Sequence, residues 1–292
     1  MMSSIELALR IKTCVGEGPL WDEKSRRLLW IDVLEGKVFI FNPNSQQNVE
    51  IRIGKHVGAI ALTHSDAILA AAKDEIISID VKHSSITPIL KVITDEKFRF
   101  NDGRVDAHGR FVVGSMGYEP KPGTASLYSY TYPQKIETIL EDVGLSNGLC
   151  WSKDSQTFYY IDTLTSQIAR YSYDIETGKV SDRKSLITFE KSDGSPDGMT
   201  IDSEGNLWVA FWGGGCIRRI SSDGRIIGTY KLPVSRVTSV AFGGENLSQL
   251  FITTASYLLN EDELLREPLA GSLFVMETDT QGFPEHRINL LS

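Results

Sequence analysis

The chain has 292 residues, 41% of them hydrophobic and 23% charged, an ordinary composition for a globular protein with a sizeable core. Its formal net charge of -8 argues against a nucleic-acid or anionic-membrane surface, because either needs clustered Lys and Arg to neutralise phosphate. There is no run of about 18 apolar residues and no basic-then-apolar start of a signal peptide. Cys14, Cys150 and Cys216 lack paired spacing, so a reducing, cytoplasmic setting is expected.

In chain order, residues 6–14 read as a strand ahead of a repeat with a period of roughly 44 residues, within the propeller range. Each copy has a polar head, usually followed by glycine, then an apolar strand and a polar turn. The clearest copies are Glu17-Gly18-Pro19-Leu20-Trp21-Asp22, Asn147-Gly148-Leu149-Cys150-Trp151-Ser152 and Asp197-Gly198-Met199-Thr200-Ile201-Asp202. Counting back from the turns of weaker copies adds Gly58, Asn101 and Thr238 as heads. Such spacing holds four short strands with their connections. Second strands such as Leu28-Leu29-Trp30-Ile31, Phe158-Tyr159-Tyr160-Ile161 and Leu250-Phe251-Ile252-Thr253 are rich in aromatic and branched residues. Helical periodicity is confined to a short turn at residues 261–266.

The reading is an all-β, six-bladed β-propeller. After the last head, strands at residues 239–242, 250–254 and 272–277 leave the sixth blade short of an outer strand. The N-terminal strand is therefore expected to complete it, making residues 1–292 one domain.

Innermost strands of a propeller line its axis, so equivalent heads converge at one end of the channel. Four of the six carry oxygen donors: Glu17, Asn101, Asn147 and Asp197. Facing carboxylates repel unless a proton or cation stands between them. The oxygen-rich set suits one divalent ion, Ca²⁺, Mg²⁺, Mn²⁺ or Zn²⁺. Asp, Asn and Gly also make turns, which explains any one of them alone but not their common register.

At these residues the sequence resembles the gluconolactonase, regucalcin and luciferin-regenerating-enzyme (senescence-marker-protein) family. The resemblance spans nearly the whole chain through Gly16-Glu17-Gly18-Pro19-Leu20-Trp21, Arg99-Phe100-Asn101-Asp102-Gly103, Leu145-Ser146-Asn147-Gly148, Pro196-Asp197-Gly198-Met199 and Leu207-Trp208-Val209-Ala210-Phe211-Trp212-Gly213-Gly214. It implies a catalytic divalent metal held by Glu17, Asn147 and Asp197, and a substrate pocket lined by Arg99, Asn101 and Glu119. Glu119 lies between Tyr118 and Pro120, in a loop that varies within the family. The expected activity is metal-dependent opening of a small-molecule sugar lactone, with Asp197 taking a proton from the attacking water. A monomer or weak homodimer is expected. The alternatives are a calcium-binding regulator of the regucalcin type and a metal-dependent esterase or phosphotriesterase.

Other motifs carry less. Gly144-Leu145-Ser146-Asn147-Gly148 satisfies the serine-hydrolase G-x-S-x-G pattern but runs into a strand where that mechanism needs a helix. The five histidines have no zinc spacing. Gly213-Gly214-Gly215 lacks the Lys-Ser/Thr and helix of a phosphate loop. Trp21, Trp30, Trp151 and Trp208 recur at matching strand positions and read as inter-blade core.

Overall fold

The computed structural model describes residues 4–290, so the expected span 1–292 runs past the described residues at both ends. The N-terminal strand is β1 (Ile5–Leu9), and five sheets of four consecutive strands follow. They are β2 (Gly16–Asp22), β3 (Arg27–Asp32), β4 (Lys37–Asn42) and β5 (Gln47–Arg52); β6 (Val57–Leu62), β7 (Ala67–Ala72), β8 (Glu75–Asp80) and β9 (Ser85–Lys91); and β10 (Phe98–Val105), β11 (Phe111–Gly117), β12 (Ala125–Thr131) and β13 (Lys135–Val143). Next come β14 (Ser146–Trp151), β15 (Thr157–Asp162), β16 (Gln167–Asp174) and β17 (Lys179–Thr188), then β18 (Ser195–Ile201), β19 (Leu207–Trp212), β20 (Cys216–Ile220) and β21 (Ile226–Lys231). The sixth sheet has the order β1-β24-β23-β22, from β22 (Val237–Gly243), β23 (Gln249–Thr254), β24 (Leu273–Glu277) and the N-terminal strand. This is a six-bladed β-propeller.

The sequence changes from axis to rim as this geometry demands. β6 reads Val-Gly-Ala-Ile-Ala-Leu and is buried throughout, whereas β5 at the rim reads Gln-Asn-Val-Glu-Ile-Arg and is mostly exposed. Inner strands have protein on both faces and need small or apolar residues. Outer strands are free edges, and charges along β13 and β17 protect them from pairing with other chains. The inner strands approach closely at the axis. A Cβ on Gly58 would come 2.4 Å from the Phe100 carbonyl oxygen, and one on Gly148 2.6 Å from that of Asp197.

The tryptophans fill the seams between blades. Trp21 and Trp30 pack with Phe39 and Phe251, joining the first blade to the sixth. Trp151 joins Phe158, Leu127 and Val112, and Trp208 joins Val240, Phe242 and Ile252. Burying one such side chain contributes about 2–3 kcal/mol.

In the sixth blade β1 pairs antiparallel with β24, Ile5 opposite Met276 and Leu7 opposite Phe274. The strand is shorter than the sequence suggests. Beyond Leu9 the chain leaves the ladder, and Thr13 Oγ1 donates to the Gly271 carbonyl at 2.8 Å. The expected helical turn forms as α1 (Glu261–Arg266), where Asn260 Oδ1 accepts from Glu263 N at 2.9 Å. No helix among the described residues is long and apolar enough to cross a membrane.

After β24 the tail crosses the end of the channel where inner strands turn into second strands. Ser203 N donates to Gln281 O, Arg104 pairs with Glu285 at 3.8 Å, and Ile288 N donates to Leu62 O. Arg287 binds the Asp22 carboxylate. Beneath the tail lies a cavity of about 280 Å³ bounded by Arg104, Cys150, Thr200, Glu285 and His286. The tail thus packs across the turn end, away from the heads of the inner strands.

Candidate functional site at the head end of the channel

All six inner strands slip register against their neighbours near the head. The slips fall between Glu17 and Leu20, Val57 and Ala59, Asn101 and Gly103, Asn147 and Leu149, Pro196 and Met199, and Val237 and Ser239. A β-bulge redirects side chains and weakens the alternation of inward and outward residues. The heads counted as Gly58 and Thr238 thus lie within bulges. In the third blade the bulge residue, Asp102, follows Asn101 directly.

Two matching devices position Glu17 and Asn147. Asp32, at the end of β3, accepts from Cys14 N at 2.7 Å and Val15 N at 3.2 Å. Asp162, at the end of β15, accepts from Gly144 N and Leu145 N, each at 2.9 Å. Each carboxylate ties down the loop entering the inner strand of its own blade, so the head residue emerges at a fixed place.

Amides and hydroxyls then link three blades. Arg99 Nη1 donates to Phe100 O at 2.8 Å and to Asn101 Oδ1 at 2.9 Å. Asn101 Nδ2 donates to Ser146 O at 2.7 Å and Asn147 Oδ1 at 3.0 Å. Asn147 Nδ2 donates to Thr163 Oγ1, whose hydroxyl donates to Pro196 O, both at 2.8 Å. This chain ends beside Asp197. It fixes the Asn147 amide with its nitrogen turned away, leaving an Oδ1 lone pair for a ligand.

The acids are treated differently. Asp197 is 7% exposed, and among the described residues no hydrogen bond reaches its carboxylate. Glu17 is 8% exposed and accepts from Gly18 N at 2.7 Å. Burial, and then the charge of Asp102, push the Glu17 carboxyl up to about 8. Burial, followed by the charges of Glu17 and Asp102, holds Asp197 well above the usual carboxylate range. Asp102 is raised to about 6, chiefly by burial. Arg99, lowered to about 10 by burial, is the cation whose field favours ionised Glu17.

The structure therefore brings Glu17, Asn101, Asn147, Asp197 and Arg99 to one end of the channel. Glu119 differs: it is exposed just beyond β11 and makes no hydrogen bond with Arg99 or Asn101. Its neighbour Tyr118 meets His56, with Tyr118 Oη and His56 Nδ1 3.1 Å apart at the rim. Ser146 is fully buried, and its Oγ accepts from Tyr160 Oη at 2.8 Å, a structural use of the hydroxyl.

The sequence reading missed Asp102 and Thr163. Asp102 stood in a quoted motif, but counting one head per strand cannot reveal that a bulge follows Asn101 and brings the next carboxylate close enough to act on Glu17 and Asp197. Thr163 follows β15 and carries no motif. Its partnership with Asn147 spans 16 residues and two strands.

Among the described residues no three side chains of His, Cys, Asp and Glu gather closely enough to hold one ion by themselves. A cation here would rely on the Asn147 amide as a third protein donor beside Glu17 and Asp197. The set fits a hard divalent ion, because all three supply oxygen and the Asp197 carboxylate lacks any other partner.

Residues 15–256 match a family model described as the SMP-30/Gluconolactonase/LRE-like region. The chain is 38% identical over 275 residues to Bacillus subtilis YvrE, provisionally named a sugar lactone lactonase, covering 93% of this chain and 94% of that one. It is also 38% identical over 291 residues to Danio rerio regucalcin, covering 98% and 99%. The crystal structure of a calcium-binding protein, regucalcin, from Agrobacterium tumefaciens superposes with a TM-score of 0.94 at 27% identity, covering 98% of this chain and 97% of that one.

Proposed function

The chain belongs to the SMP-30/gluconolactonase/LRE-like family, and from that premise we propose that it is a metal-dependent hydrolase opening sugar lactones. The observation that carries the reading is the Asp197 carboxylate, buried without a hydrogen bond and facing Glu17 beside an oriented Asn147 amide. Burying ionised groups without compensation costs several kcal/mol each. A cation supplies that compensation, and Glu17, Asn147 and Asp197 would hold it.

When bound, a divalent cation such as Ca²⁺, Mg²⁺, Mn²⁺ or Zn²⁺ would polarise the lactone carbonyl as a Lewis acid. Asp197 accepts a proton from the attacking water as oxygen bonds to the carbonyl carbon. The bond between that carbon and the ring oxygen then breaks, and a proton returned to this oxygen completes a hydroxy acid. Arg99 uses Nη1 in the protein and keeps Nε and Nη2 for substrate hydroxyls. Asn101 shares that role through its link to Arg99, and Glu119 acts from the rim. An unpaired carboxylate at the reacting end is better suited to accept a proton than one fixed by an arginine.

The test is hydrolysis of five- and six-membered sugar lactones with each divalent ion and with chelator. Turnover abolished by chelator and by Asp197→Asn supports the reading; near-normal turnover in Asp197→Asn overturns Asp197 as base. Faster cleavage of phosphotriesters than of any lactone would reassign the electrophile. The full-length likeness to regucalcin supports a second reading, a calcium-binding regulator, which predicts cation binding with no turnover on any lactone.

A further inference from the structure

The residues skipped by the six register slips are Gly18 with Pro19, Gly58, Asp102, Gly148, Asp197 with Gly198, and Thr238. Glycine prevails because the inner strands nearly touch. A Cβ on Gly198 would lie 2.1 Å from Ser239 Oγ. Three bulges carry a functional side chain. Thr238 is satisfied within the protein, donating to Gly16 O at 2.6 Å and meeting Thr253 Oγ1 at 2.8 Å. Among the described residues Asp197 has no hydrogen-bond partner, and Asp102 accepts only from Gly103 N, at 2.7 Å.

Asp102 thus stands in the third blade where Asp197 stands in the fifth. It adopts φ +27°, a left-handed conformation unusual for a residue with a side chain. It lies as deep as Glu17 yet retains accessible surface, as a residue lining an internal channel does. Its charge acts on both Glu17 and Asp197. Arg104 is the cation favouring its ionised form, but the Arg104 guanidinium is directed to Thr200 Oγ1 at 3.0 Å and to Glu285. Asp102 is thus close enough to act on both head-end acids, while the arginine that favours its ionised form is committed elsewhere.

We infer that Asp102 is a third carboxylate of the cation site, acting through its charge and through the cation's hydration waters rather than by direct ligation. The inference rests on the cation reading of Glu17, Asn147 and Asp197 given above. Among the described residues no three acids stand close enough to hold one ion together, so Asp102 is assigned to the hydration shell. Hard divalent ions commonly retain waters that need acceptors, and such outer partners set affinity as well as orientation. A carboxylate occupying a position that elsewhere favours glycine imposes a local cost on the fold, which a cation offsets.

The test is calorimetric titration of Ca²⁺ and of Mg²⁺ into the metal-free protein, with melting temperature recorded alongside. Asp102→Asn, which keeps the shape and removes the charge, should weaken both affinities about 10- to 100-fold with little change in metal-free melting. Asp102→Gly, which installs the residue found in the bulges of the second and fourth blades, should raise metal-free melting by roughly 2 °C while weakening cation binding as much. Wild-type affinity in Asp102→Asn overturns the inference while leaving the Glu17, Asn147 and Asp197 site standing. If wild type itself binds neither ion, the cation reading falls and this inference with it.

Discussion

Buried acids at the two ends of the channel have opposite surroundings. At the turn end Asp106 is fully buried and accepts from Arg110 Nε at 2.7 Å, Tyr173 Oη at 2.6 Å and the backbone of His108 and Arg110. Asp202, equally buried, accepts from Arg219 Nε at 2.9 Å, Trp208 Nε1 at 3.0 Å and two backbone N–H groups. At the head end Asp197 has no such partner among the described residues, and Glu17 has the Gly18 N–H, the Ser239 side chain and the charge of Arg99, which makes no ion pair with it. The same side chain serves the fold where its charge is answered by arginine or, as at Asp32, by several backbone N–H groups. Where it is unanswered it is available for a cation or a proton.

The sharpest way to break this contrast is at Asp197. Asp197→Asn removes charge but not volume; lactone turnover should fall by about a thousandfold while the far-ultraviolet circular dichroism is unchanged. Next is the opposite experiment at the turn end. Asp106→Ala leaves Arg110 buried without its carboxylate and should lower stability by about 3–5 kcal/mol in urea denaturation. Turnover per folded molecule and cation affinity should stay at wild-type values. A loss of affinity there would mean that the two ends are not separate in function. Arg99→Ala should act more modestly, raising the Michaelis constant about tenfold through loss of charge-assisted hydrogen bonds to substrate. An unchanged constant would remove Arg99 from the pocket.

The smallest effect concerns pH. In the metal-free protein Glu17 holds its proton up to about 8, against a usual value of 4.5. Between these values the folded state binds a proton that the unfolded chain has released, so unfolding free energy falls as pH rises. The stability is complete below 4.5 and lost as pH passes about 8. A cation bound as proposed would replace that proton, so saturating calcium should raise the melting temperature more near pH 8 than near pH 5.5, by about a few degrees. An equal gain at both would separate cation binding from Glu17.

Much of this architecture is written locally. The repeat of head, apolar strand and turn is visible because every blade must meet the same demands: small or apolar residues at the axis, aromatics at the seams, charges at the rim. Trp21, Trp30, Trp151 and Trp208 could be assigned to the core because burial selects large apolar side chains at equivalent places. Glu17, Asn101, Asn147 and Asp197 stood out because an acid or amide at an axial position conflicts with that demand, and the resemblance alone picked Glu17, Asn147 and Asp197 among them. Glu119 was carried by resemblance alone, and its exposed loop gives the position no packing constraint to read.

What the sequence by itself determined was the periodicity, the all-β character and which strand of each repeat is innermost, since these follow from side-chain volume and polarity along the chain. Only the tertiary structure decided which axial side chains meet. The bulge at Asp102, the chain from Arg99 through Asn101 and Asn147 to Thr163, and the tail that crosses the turn end depend on contacts between strands and blades. Backbone register and close approach across a ring are fixed by partners distant in sequence, so no local pattern records them.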